Sequence, residues 1–196
     1  KITYSTDTTA YVPGANLSTV RDALAATGNS THGYFGGGSP GLKSTMDKVT
    51  YSSDTTAAVP GANLSVARYR LAATGNSTHG YFGGGFPGPK STMDKVTYSS
   101  DTTAYVPGAN LSTVRYHLAA SSARANALPV EEPPAATPTP QTALMFFPTP
   151  NTGYFGGGSP PLPTALMDKV TYSSDTTAAV PGANLSVARY DLAATG

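Results

Sequence analysis

The chain contains no cysteine and no tryptophan, and only 12% of its 196 residues are charged. Without Cys there is no disulfide, no thiolate metal site and no cysteine nucleophile, while the compartment stays open because such a chain tolerates oxidising and reducing surroundings alike. A formal net charge of +1 with scattered Lys and Arg gives no basic stripe, which argues against nucleic acid and against an anionic membrane as partners. No run approaches the roughly 18 consecutive apolar residues of a spanning helix. Lys1 opens inside a repeat rather than on a basic and apolar leader, so a soluble chain without membrane insertion is expected. Sparse charge is not the signature of disorder, which couples low hydrophobicity to high net charge. The 12 Tyr and 6 Phe suffice to nucleate a core.

What is present is repetition. The string Lys-x-Thr-Tyr-Ser-x-Asp-Thr-Thr-Ala-x-Val-Pro-Gly-Ala-Asn-Leu-Ser begins at Lys1, Lys48, Lys95 and Lys169, spacings of 47, 47 and 74. A second string, Gly-Tyr-Phe-Gly-Gly-Gly, begins at Gly33, Gly80 and Gly153. Small differences between alternate units point to duplication of an ancestral pair. The organisation expected is repeat units over 1–120, starting at 1, 48 and 95, a proline-rich insert or loop over 121–152, and a final repeat portion over 153–196. The insert is too rich in proline for helix interiors or central strands, and Met145-Phe146-Phe147 is its one anchor to a core.

Each unit holds four short strands by pattern: residues 68–74, 79–82, 92–98 and a short run around Ala104-Tyr105-Val106, separated by Gly, Asn, Asp and Pro. Alternation in the third puts Val96 and Tyr98 on one face and Met93, Lys95 and Thr97 on the other. Residues 63–73 also allow a helix capped by Asn63 or Ser65, which would turn the unit into an α/β solenoid repeat. The fold class read from the pattern is all-β, in tandem four-stranded units.

Arg68 before Leu71-Ala72-Ala73, Tyr81 before Gly83-Gly84, and Tyr98 after a polar link together resemble a kelch motif. The same order recurs around Arg21, Tyr34, Gly36, Gly37 and Tyr51, and around Arg189. The Gly-Tyr-Phe-Gly-Gly-Gly string also resembles repeats in predicted proteins of marine bacteriophages. The resemblance implies blades of a kelch-like β-propeller. The chain departs from the kelch pattern in lacking the Trp that follows the third-strand Tyr. Fewer than four complete blades leaves three arrangements open: an incomplete ring, a ring assembled from more than one chain, and an open stack. Kelch-type copper-radical oxidases use a Tyr joined to a Cys, chemistry that a cysteine-free chain cannot perform.

The candidate sites each have a structural explanation. The glycine runs lack the helix and Lys of a phosphate loop and read as close backbone packing. Asp7, Asp54, Asp101 and Asp175 supply one carboxylate each, few for a cation, and suit Asx turns. His32, His79 and His117 have no carboxylate cluster around them, and Glu131-Glu132 sits beside proline. Asn16, Asn29, Asn63, Asn76, Asn110 and Asn184 begin Asn-x-Ser/Thr patterns that read as turn residues before glycosylation sites. No catalytic residue, metal site or cofactor is expected.

The function expected is a non-enzymatic recognition or structural module that presents repeated loops to a protein or glycan surface. Multivalent contact would supply its avidity. Residues 39–43 and 86–90 are the expected loops, with Lys43 and Lys90 as ligand contacts. In a lectin variant Tyr34, Tyr81 and Tyr154 would stack on sugar, although as strand residues leading into a glycine turn they suit a core better. An enzyme working in a central opening is the alternative from another class. A homo-oligomer and an extracellular or virion-associated location complete the expectations.

Overall fold

The computed structural model describes residues 1–3, 5–88, 90–122, 151–159 and 162–193. Most of the proline-rich segment, with Glu131-Glu132 and Met145-Phe146-Phe147, lies outside the described residues. Within them the secondary structure is strand and short 3₁₀ turn, without α-helix.

A two-stranded hairpin, β1 (Ile2–Thr3) and β2 (Thr8–Thr9), precedes three four-stranded sheets. The first sheet comprises β3 (Ala25–Gly28), β4 (His32–Gly36), β5 (Met46–Thr50) and β6 (Thr55–Ala58). The second comprises β7 (Ala72–Gly75), β8 (His79–Gly83), β9 (Met93–Thr97) and β10 (Thr102–Tyr105). The third comprises β11 (Ala119–Ser122), β12 (Thr152–Gly156), β13 (Met167–Thr171) and β14 (Thr176–Ala179). Each is an antiparallel meander whose spatial order follows the chain. The all-β class and the tandem four-stranded units expected from the repeat are therefore present. A 47-residue period counted from Lys48 starts inside β5, so one sequence unit straddles two sheets.

The turns explain the spacing. Between β3 and β4 the Asn29 side-chain Oδ1 accepts the amides of Thr31 and His32, both at 2.9 Å. Between β5 and β6 Asp54 takes a left-handed φ of 53°, which an Asp tolerates. After β2, β6 and β10 a Pro-Gly-Ala 3₁₀ turn, such as Pro60–Ala62, sends the chain across to the next sheet, and the same turn follows β14. The helix allowed over 63–73 does not form. Asn63 is extended, and its side chain accepts the amide of Met46 at 3.0 Å instead of capping a helix. The strand expected over 68–74 begins only at Ala72, because Arg70 sits at φ 56° and breaks the ladder.

The sheets pack face on face. Phe82, Val96 and Tyr98 of the second sheet join Ala25, Tyr34 and Met46 of the first in one apolar cluster. Tyr81 and Met93, on the opposite face, join Phe155, Val170 and Tyr172 of the third in another. The middle sheet is thus buried on both faces, with Val96 and Met93 divided as the alternation requires. Gly84 adopts φ +72°, and a Cβ there would lie 2.7 Å from the carbonyl oxygen of Arg115 on the next crossing, so the glycine run is a close-packing device.

The stack does not close into a ring. Successive crossings are joined by the amide of Arg70 to the carbonyl of Ala23 (2.8 Å), His117 to Arg70 (3.0 Å) and Asp191 to His117 (3.1 Å). Among the described residues no such bond returns from Ala23 to Asp191.

Candidate functional site

These crossings bring four equivalent positions together. Ala23, Arg70, His117 and Asp191, each left-handed and each followed by a Leu, line one cavity of about 330 Å³. Each follows a tyrosine or, in the first unit, an aspartate: Asp22-Ala23, Tyr69-Arg70, Tyr116-His117 and Tyr190-Asp191, flanked on both sides by the repeated Arg and Leu-Ala-Ala. Asp22, Tyr69 and Tyr116 are in turn bridged to Ser39, Phe86 and Ser159, another position that changes between copies.

An aromatic row results at this mouth. Tyr69 packs edge-on against Phe86 with centroids 5.5 Å apart, Phe86 against Tyr116 at 5.4 Å, and Tyr116 against His117 at 5.1 Å. The His117 ring also contacts Tyr190 at 6.1 Å, and its Nδ1 meets the Asp191 carboxylate. The Arg70 guanidinium lies 5.1 Å from the centre of the Tyr69 ring. The mouth therefore combines a cation, an imidazole held by a carboxylate, and ring edges, a set suited to a polar ligand with flat apolar faces.

The residues expected to bind are placed differently. Tyr34 and Tyr81 are fully buried. Their rings stack on Tyr98 and Tyr172 at 4.9 and 4.8 Å, leaving no face for a sugar. Each hydroxyl donates to an aspartate of the following sheet at 2.5 Å, Tyr34 to Asp101 and Tyr81 to Asp175. Burial first, then the adjacent carboxylate, pushes both phenols well above the ordinary tyrosine range. Tyr154, the third copy, is 36% exposed. Lys43 and Lys90 are half-buried; their amides donate to Gly38 and Gly85, and their carbonyls accept the amides of Arg68 and Arg115. Phe86, the first residue of the second expected loop, packs between Tyr69 and Tyr116 in the aromatic row.

Three of the four turn aspartates serve the stack. Lys48 pairs with Asp101, Lys95 with Asp175 at 2.7 Å, and Lys1 with Asp54 at 2.7 Å. Desolvation works against the carboxylates of Asp101 and Asp175, but hydrogen bonds from the lysine and tyrosine outweigh it and hold both below the usual range. Asn63, Asn110 and Asn184 each accept the amide of a third-strand methionine at 3.0 Å.

Sequence reasoning missed the partner of the repeated arginine. Arg21, Arg68 and Arg115 pair with Asp47, Asp94 and Asp168, with all six side chains inaccessible to solvent. Burial pushes the Arg68 and Arg115 guanidiniums down, opposed by the aspartates. The available signal was Asp94 itself, alternating with Val96 and Tyr98 on an apolar face, where a charge demands a counter-ion. No protein-family model and no curated protein sequence matches the chain.

Proposed function

We propose that the chain is a non-catalytic recognition module, its sheets being blades of kelch-like propeller type, that binds a protein or glycan surface at the mouth lined by Ala23, Arg70, His117 and Asp191. One observation carries this reading. Four equivalent positions inside the shared Arg-x-x-Leu-Ala-Ala frame carry four different residues, Ala23, Arg70, His117 and Asp191, and all four line a single cavity. Identical units preserve a stacking scaffold, while divergence at one rim supplies a surface of mixed chemistry. A glycan fits the row of ring edges together with Arg70, His117 and Asp191. A virion surface is one setting, on the phage-like resemblance of the glycine string.

The test is a glycan-array and protein-partner screen on the purified chain, repeated with Arg70→Ala and Tyr190→Ala. Loss of binding by tenfold or more, about 1.4 kcal/mol, with an unchanged melting curve supports the reading. Binding indifferent to both changes overturns it. The contact of His117 with Asp191 favours a second reading, an enzyme in which the carboxylate orients the imidazole as a base. Turnover of a glycoside or ester abolished by His117→Gln would establish that reading in place of the first.

A further inference from the structure

Between the first and second sheets, the β3–β4 turn, the β7–β8 turn and the end of β9 enclose a cavity of about 400 Å³. It is lined on one side by Asn29, Thr31 and His32 and on the other by Ser77, Thr78 and His79. That volume lies within the range of small-molecule sites. Both walls belong to complete four-stranded sheets. Tyr98, which also lines the cavity, is held in place: its ring stacks on Tyr34, and its amide donates to the Thr78 carbonyl at 3.1 Å. In the third sheet Asn151-Thr152 stands where Thr78-His79 stands in the second, so the pair of imidazoles occurs once.

The same three-residue device sits on each wall and fixes the histidine tautomer. Oδ1 of Asn29 accepts the amides of Thr31 and His32, and Oδ1 of Asn76 those of Thr78 and His79, all at 2.9 Å. A backbone amide can only donate, so the atom it meets is the asparagine oxygen, an acceptor without a proton. The Thr31 and Thr78 hydroxyls lie 2.8 and 2.9 Å from that oxygen and must direct their one proton at it. Each hydroxyl also lies 2.8 Å from Nδ1 of the next histidine, where, its own proton committed, it can only accept. Nδ1 of His32 and of His79 therefore carries the proton, and in the neutral ring Nε2 carries the lone pair. Neither Nε2 has a hydrogen-bond partner among the described residues. Burial first, then Lys95, pushes the His79 imidazole below its ordinary range against the pull of Asp175, which keeps that ring neutral at neutral pH.

The hydroxyls of Ser77, Thr97 and Ser99, also on the lining, make no side-chain hydrogen bond among the described residues and can donate as well as accept. The cavity thus offers two oriented acceptors among free hydroxyls, with no Lys, Arg, Asp or Glu on its lining. Two imidazoles are few for a metal ion, and no third ligand joins them among the described residues. We infer that this cleft binds an uncharged polyhydroxylated ligand, a sugar of one or two rings, with one hydroxyl donating to Nε2 of His32 and another to Nε2 of His79. The site is separate from the mouth at Arg70 and His117 and does not rest on that reading.

The chain has three histidines, so imidazole NMR reads the site directly. The experiment titrates the full chain with methyl glucoside, methyl galactoside, methyl mannoside, lactose and maltose. Before any addition, the ring nitrogens of His32 and His79 are expected to report Nδ1–H; an Nε2–H tautomer at either overturns the inference. At least one sugar is expected to move both signals along one saturable curve, with a dissociation constant in the millimolar range or below. No saturable response to any of the sugars overturns the inference, as does a response confined to His117. His32→Phe and His79→Phe each remove one acceptor and should weaken binding about tenfold or more. Thr31→Val keeps both imidazoles, removes only the hydroxyl that fixes one tautomer, and should weaken binding about fivefold. Affinity unchanged in all three variants also overturns the inference. So does zinc chloride saturating His32 and His79 at one ion per chain without any sugar response, which would identify a metal site. Arg70→Ala is expected to leave the response intact, so the mouth and this cleft fail separately.

Discussion

The interior junctions and the end faces are made of the same sequence and behave differently. Tyr34 and Tyr81 are sealed between sheets, whereas Tyr154 in an identical Gly-Tyr-Phe-Gly setting is 36% exposed. Tyr98 and Tyr172 are buried, whereas Tyr51 is 45% exposed. Phe82 and Phe155 are inaccessible, whereas Phe35 is only half-buried. Burial here belongs to the junction between two sheets, and a residue acquires it from the neighbour rather than from its own strand.

The largest break in that comparison is expected from Phe82→Ala against Phe35→Ala. Removing the inaccessible ring should cost about 3–5 kcal/mol, and the half-buried copy markedly less. Urea midpoints measure both, and equal losses would contradict the distinction between junction and end. Arg68→Ala should approach the same size, about 3–5 kcal/mol, because it strands the buried Asp94 carboxylate. If the pair acts through its charges, replacing both with apolar residues of similar volume should recover much of that loss.

Gly84→Ala is expected to cost about 1–3 kcal/mol, since it combines a left-handed backbone with a Cβ pressed on the Arg115 carbonyl. Gly88→Ala, also left-handed at φ +58° but in open space, separates the backbone cost from the packing cost.

The smallest effect belongs to the partly exposed ion pairs. Lys95→Ala should cost about 0.5–1 kcal/mol and Lys169→Ala close to nothing in the monomer. Desolvation of Asp101 and Asp175 is outweighed by their lysine and tyrosine partners, so their folded pKa values lie below the unfolded ones. Their contribution is present above the unfolded carboxylate value of about 3.9 and is lost as pH falls through the folded values. Tyr34 and Tyr81 act in the opposite direction. Held protonated by burial and by the neighbouring aspartates, they cost stability as pH rises past the unfolded phenol value of about 10. Denaturation followed along both limbs should show Lys95→Ala flattening the acid slope and Tyr81→Phe the alkaline one.

Much of the fold is legible in the sequence. Asn and Asp turns set strand ends, alternation through Met93 to Tyr98 divides two faces, and the left-handed glycines mark close approach. The registers of β8 and β9 follow, because a one-residue slip would place Asp94 and Val96 on the wrong face. The first strand was shortened by the left-handed Arg70, and no local pattern announces such a conformation for an arginine. The candidate site was less legible. The changing second residue after each repeated arginine is visible as a letter, yet it acquires meaning only when four crossings lie side by side.

Repeated four-stranded units follow from the residue pattern alone, because period-two patterning and turn chemistry act over a few residues. Which aromatics are core and which are surface, which charges are paired, and which positions share a cavity emerge from the packing of sheet on sheet. Those properties arise between residues far apart in the chain, 67 for the bond from Tyr34 to Asp101 and 53 for that from Lys48, and are set when one sheet packs on the next.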